Sequence, residues 1–110
     1  TLTAGENLVK VVNEGVQPHF IEFMSVPEGN TNDNITAAIE SMMGATPSAE
    51  PFDMESAMPV AYVPEQSEGV AAWHSVSLEA GSYGVICWIT DPETGMPHAM
   101  LGMHNVFVVE

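Results

Sequence analysis

The run from Tyr83 to Ile89 is almost unbroken apolar sequence, the pattern of a strand covered on both faces at the centre of a sheet. Such a strand needs neighbours, and short β-rich stretches elsewhere supply them. Asn7 to Val12 is rich in β-branched residues and ends at the turn signal Asn13-Glu14-Gly15. His19 to Val26 alternates, with His19, Ile21 and Phe23 on one face and Phe20, Glu22 and Met24 on the other; the charged Glu22 marks the wetter face, so His19 is expected to look inward. Val70 to Glu79 alternates again, placing Ala72, His74, Val76 and Leu78 together before Gly81 turns the chain. Met58 to Val63 and Asn105 to Val109 read as further short strands. Strands at this spacing predict an all-β sandwich.

One segment breaks the pattern. Pro27, Gly29 and Asn30 end the second strand, and Thr31 to Asp33 offers N-cap candidates. Ile35, Ala38, Ile39, Met42 and Met43 then fall at helical spacing before Gly44 and Pro47. The spacing predicts one inserted helix at about 32–43, covering an end or flank of the sandwich. Residues 45–57, with Pro47, Pro51 and several small or acidic side chains, read as irregular surface chain. At 110 residues the chain is expected to form one domain spanning 1–110, large enough for one core.

Charge narrows the function classes. Fifteen acidic residues stand against one cationic side chain, Lys10, for a formal charge of -14, which repels phosphate backbones and anionic lipid and argues against nucleic-acid binding. No apolar run approaches the roughly 20 residues that span a bilayer. The chain begins at Thr1 rather than Met, which suits a mature secreted protein or an excised domain, so a secreted, periplasmic or cell-surface location is expected. No nucleophile-elbow pattern accompanies Ser75 or Ser77, and no enzymatic activity is expected.

The lone cysteine, Cys87, cannot form an internal disulfide. It is a core thiol, a reactive thiol, a metal ligand, or half of an intermolecular bridge. Its company is informative: His98 and Met103 follow on one loop, and His19 starts an inward-facing strand. Two imidazoles, a thiolate and a weak thioether form the donor set that suits both oxidation states of copper. Asn13 and Pro18-His19, followed by Gly81-Ser82-Tyr83-Gly84-Val85-Ile86-Cys87, His98, Gly102-Met103 and Phe107-Val108-Val109, resemble the cupredoxin family, whose familiar members are plastocyanin and azurin.

That resemblance covers about half of the chain, at its two ends. It implies a Greek-key cupredoxin-like β-sandwich, with the helix and the 45–57 loop as insertions, and a type 1 copper centre. His19 and His98 would be the imidazole ligands, Cys87 the thiolate and Met103 the axial thioether. It implies one-electron transfer to a redox partner protein. One departure stands out: ten residues, Trp88 to Pro97, separate Cys87 from His98, where familiar members have only a few. Closure entropy grows slowly with loop length, so a long loop can still return His98 to the site.

Two other readings use the same residues. A metal-free cupredoxin-like module would keep Cys87 as a buried apolar residue and His19 as a hydrogen-bonded core histidine, with strand edges supporting self-association or assembly. A copper chaperone would use Met96, His98, Met100, Met103 and His104 as a soft donor set suited to Cu(I). His74 is left outside any site, as a satisfied core histidine. His104 should project away from Met103 on the last strand. Asn34-Ile35-Thr36 is a glycosylation sequon, a short pattern that also arises by chance.

Overall fold

The computed structural model describes residues 2–110. Two antiparallel sheets and one helix account for the core. Strand β1 (Gly5–Val12) pairs with β4 (Ala71–Leu78), in register from Gly5 opposite Leu78 to Val12 opposite Ala71. The second sheet has the order β3-β2-β5-β6, from β2 (His19–Val26), β3 (Met58–Gln66), β5 (Gly81–Ile86) and β6 (His104–Val109). The all-β sandwich with one inserted helix is the observed architecture.

The four-stranded sheet is covered on both faces, which explains its apolar sequence. On one side Phe23, Val63, Tyr83 and Val109 meet Val76 and Leu78 of the two-stranded sheet. On the other, Met24, Val26 and Ile86 meet Ile35, Ala38 and Ile39 of the helix α1 (Asn32–Met42), together with Phe52 and Ala99. Each fully buried Ile or Val contributes about 1.5–3 kcal/mol. The face of β2 expected to be the wetter one is therefore partly covered: α1 buries Met24, while Phe20 and Glu22 keep partial exposure.

Helix α1 starts where the caps predicted. The Asn34 side chain accepts from the Thr31 backbone N–H at 2.9 Å and from its hydroxyl at 3.0 Å, while its amide nitrogen donates to the Glu50 carbonyl at 3.0 Å. The sequon asparagine thus ties the helix entry to the loop after it. The buried stripe stops at Ile39; Met42 and Met43, expected to continue it, are exposed. The 45–57 stretch is irregular apart from a 3-10 turn at Met54–Ser56, yet it is pinned by buried Phe52, whose N–H donates to the Asn34 carbonyl at 3.0 Å.

Strand β3 runs three residues beyond the expected Val63, to Gln66. It holds Pro59 and Pro64 and pairs only with β2. An edge strand tolerates proline because its outer N–H groups have no ladder to feed, and the same prolines blunt pairing with another chain. The central strand β5 ends at Ile86, not at the predicted Ile89. Its ladder with β6 closes at Ile86 opposite His104, and the Cys87 N–H turns to the Met103 carbonyl at 3.1 Å. Cys87 therefore stands just past the strand, at one pole of the sandwich.

Candidate metal centre

Three segments meet at that pole: the start of β2, the end of β5, and the loop from Trp88 to Met103. Cys87 is 2% exposed and His98 is 4% exposed, while His19 is half-buried. The Cys87 Sγ lies 3.8 Å from the Nδ1 of His19 and 3.7 Å from the Nδ1 of His98. The two imidazole rings stand 4.5 Å apart between centroids, tilted by 58°. All three donor atoms lie within 4.8 Å of one another.

These separations suit a bound ion. Bonds of about 2.0–2.3 Å, opened to angles between tetrahedral and trigonal, put sulfur and nitrogen about 3.6–3.8 Å apart. A thiol proton could serve only one of the two nitrogens, whereas a cation between them satisfies both. Burial, and then the neighbouring His98 imidazole, hold His19 below its ordinary pKa of 6.5, which favours the neutral ring that a metal requires.

The fourth predicted residue, Met103, is 38% exposed. It borders a cleft of about 230 Å³ shared with His19, Gly15 and Phe20, and a second of about 220 Å³ shared with Cys87 and Phe20. It therefore stands on the open side of the centre, tied to Cys87 through the backbone. Two other members of the soft donor set, Met100 and His104, are engaged elsewhere. Met100 packs against the helix-side core. The His104 ring is taken by the Ala99 carbonyl at 2.8 Å and the Thr36 hydroxyl at 2.9 Å. Both side chains are thus engaged in packing or hydrogen bonds of their own. His74 bonds Gln66 Oε1 at 3.1 Å, as a satisfied histidine should.

The long loop between Cys87 and His98 is not slack. Thr90 and Pro97 form a β-bridge, the Asp91 N–H donates to the Met96 carbonyl at 2.8 Å, and the His98 N–H donates to the Ile89 carbonyl at 2.8 Å. Asp91 organises the tip: its carboxylate accepts from Thr94 Oγ1 at 2.7 Å and from the backbone N–H groups of Thr94 and Glu93 at 3.2 and 3.3 Å. Those bonds, the Thr94 hydroxyl first, together with a bond from the Gln17 amide as the next largest cause, lower its pKa to about 2. The insertion is a folded hairpin. It delivers His98 into a 3-10 turn, His98–Leu101, closed by Gly102 at a φ of 100°, where a side chain would be strained.

The loop before His19 is equally built. Asn13 is 5% exposed; its amide nitrogen donates to the Gln17 and Gln66 carbonyls at 2.7 and 2.8 Å, and its oxygen accepts from the Gly15 N–H at 2.9 Å. Gly15 packs against the imidazole, and a Cβ there would lie 3.1 Å from His19 Nε2. Gln17 bridges the two loops: its amide nitrogen donates to Asp91 Oδ1 at 2.7 Å, and its oxygen bonds His98 Nε2. Sequence reasoning found the turn at Asn13 but neither Gln17 nor the role of Asp91. Asp91-Pro92-Glu93-Thr94-Gly95 carried a turn signal that marks the hairpin tip; Gln17 carried none.

No protein-family model matches the chain, and no curated protein matches it by sequence. A solved structure does: sodium dithionite-reduced auracyanin from the photosynthetic bacterium Roseiflexus castenholzii superposes with a TM-score of 0.53 at 20% identity, over 98% of this chain and 79% of the other. Auracyanin is a cupredoxin. At that identity the likeness speaks to architecture, and with the sheet order and the polar cluster of His19, Cys87 and His98 it identifies the chain as a cupredoxin fold.

Proposed function

We propose that this chain is an extracytoplasmic type 1 copper protein that carries single electrons and turns over no substrate. The observation that carries the reading is one sulfur faced by two imidazole nitrogens, at 3.7 and 3.8 Å. In this reading His19 and His98 would hold the ion through Nδ1 and Cys87 as thiolate, and Met103 would offer a weak thioether. Copper bound there would supply a one-electron couple; the protein supplies a geometry acceptable to both oxidation states.

The exit for the electron follows from exposure. His98 is sealed, whereas Met103 and the edge of His19 border the open clefts. A redox partner protein would therefore approach over Met103, Phe20 and His19. Cu(II) added to the purified protein should produce strong visible absorption from the thiolate, and Cys87→Ser should abolish it while far-UV circular dichroism is unchanged. A colourless wild-type protein overturns the reading. The compartment is tested separately, by fractionating the source cells and locating the protein.

A further inference from the structure

We propose that Gln17 is a positioning residue that fixes the tautomer and aim of His98, through a chain running from Asp91 to Gln17 to His98. The inference rests on the metal reading above and deepens it. The hydrogen-bond inventory of the three groups leaves one consistent arrangement. The Asp91 carboxylate accepts bonds from Thr94 and Glu93, and a carboxylate has no proton to offer Gln17. The amide nitrogen of Gln17 must therefore face Asp91, where it donates at 2.7 Å. That choice turns the amide oxygen toward His98 Nε2. An oxygen acceptor there requires Nε2 to carry the hydrogen, so Nδ1 is left as a bare lone pair aimed at the space beside Cys87 Sγ.

The chain is anchored at Gln17 and at Asp91 by groups outside the site. Asn13 holds the Gln17 carbonyl at 2.7 Å, and the hairpin tip holds Asp91. Gln17 thus joins the N-terminal loop that precedes His19 to the C-terminal loop that carries His98. It also occupies the outer edge of His98, leaving that ring no open face toward solvent. Partners of this kind orient a metal-binding histidine, and their loss typically weakens metal affinity roughly 10- to 100-fold.

The test uses ¹⁵N-labelled protein. Ring nitrogen shifts of His98 in metal-free wild type should show the Nε2–H tautomer alone. Gln17→Met, close in volume but without the acceptor, should give mixed tautomers and bind Cu(II) roughly 10- to 100-fold more weakly. The paired exchange Gln17→Glu with Asp91→Asn keeps an acceptor at His98 and should restore the single tautomer. An Nδ1–H or mixed tautomer in wild type overturns the proposal even if Gln17→Met fails to fold. So does a folded Gln17→Met protein with the wild-type tautomer or with affinity within threefold of wild type. If wild type takes up no copper, the metal reading falls by itself, and the ring shifts alone decide whether Gln17 sets His98.

Discussion

Asn13 offers the sharpest test of how the site is held. Its side chain makes three hydrogen bonds from a position that is 5% exposed: to the carbonyls of Gln17 and Gln66 and from the N–H of Gly15. Each is worth about 1 kcal/mol net, and a stranded buried partner costs more than an exposed one. The Gln66 bond is buried and the others are partly so, so Asn13→Ala should cost about 2–3 kcal/mol. Chemical denaturation of the metal-free protein would read this as a lower midpoint at constant slope. Asn13→Asp separates hydrogen bonding from packing. It keeps the shape and the acceptor for Gly15, but sets a carboxylate oxygen against two carbonyls where the amide had donated. At neutral pH it should be destabilised at least as much as the alanine variant. A buried carboxylate in that position has its pKa raised in the fold. Its penalty relative to wild type is therefore full well above the folded pKa and shrinks as pH falls through it, because the protonated acid can donate to one carbonyl. If Asn13→Asp is as stable as wild type at pH 7, or if Asn13→Ala costs under 1 kcal/mol, the proposed anchoring of the His19 loop is wrong.

Asp91 makes a pH prediction with a definite sign. Its folded pKa of about 2 lies below the ordinary 3.8, so its contribution is complete above about pH 4 and disappears as pH falls toward 2; urea midpoints through that window should fall less steeply for Asp91→Asn than for wild type. Gly15→Ala places a methyl 3.1 Å from His19 Nε2 and 3.3 Å from Asn13 Oδ1, an overpacking that should cost about 1–2 kcal/mol and shift the visible spectrum of the copper-loaded protein; an unchanged spectrum and midpoint would show that the loop has room. Ile39→Ala, in the helix-side core, should cost about 2–5 kcal/mol in thermal or chemical unfolding while Cu(II) still colours the folded fraction.

Local pattern was sufficient where a residue's neighbours in the chain decide its structure. The alternation in β2, the turn at Asn13, the helix cap at Thr31 and the buried stripe from Ile35 to Ile39 all follow from periods of two and 3.6 and from short-range hydrogen bonds. The places where the prediction went astray needed a distant partner. Glu22 marked one face of β2 as wet because nothing in the strand announces that α1 will cover Met24. The strand through Cys87 read as continuing to Ile89 because its apolar residues carry no sign that the Cys87 N–H will turn to Met103.

The amino-acid sequence by itself determined the class of fold, the inventory of soft and borderline donors, and the acidic character that disfavours polyanionic partners. Only the tertiary structure decided that His19, Cys87 and His98 face one another, that the ten-residue loop is a braced hairpin, and that Gln17 stands between Asp91 and His98. The physical reason is separation along the chain. A hydrogen bond between residues 74 or 81 positions apart leaves no periodicity in either segment, because its geometry is set by how two sheets and a helix pack, not by the residues beside it.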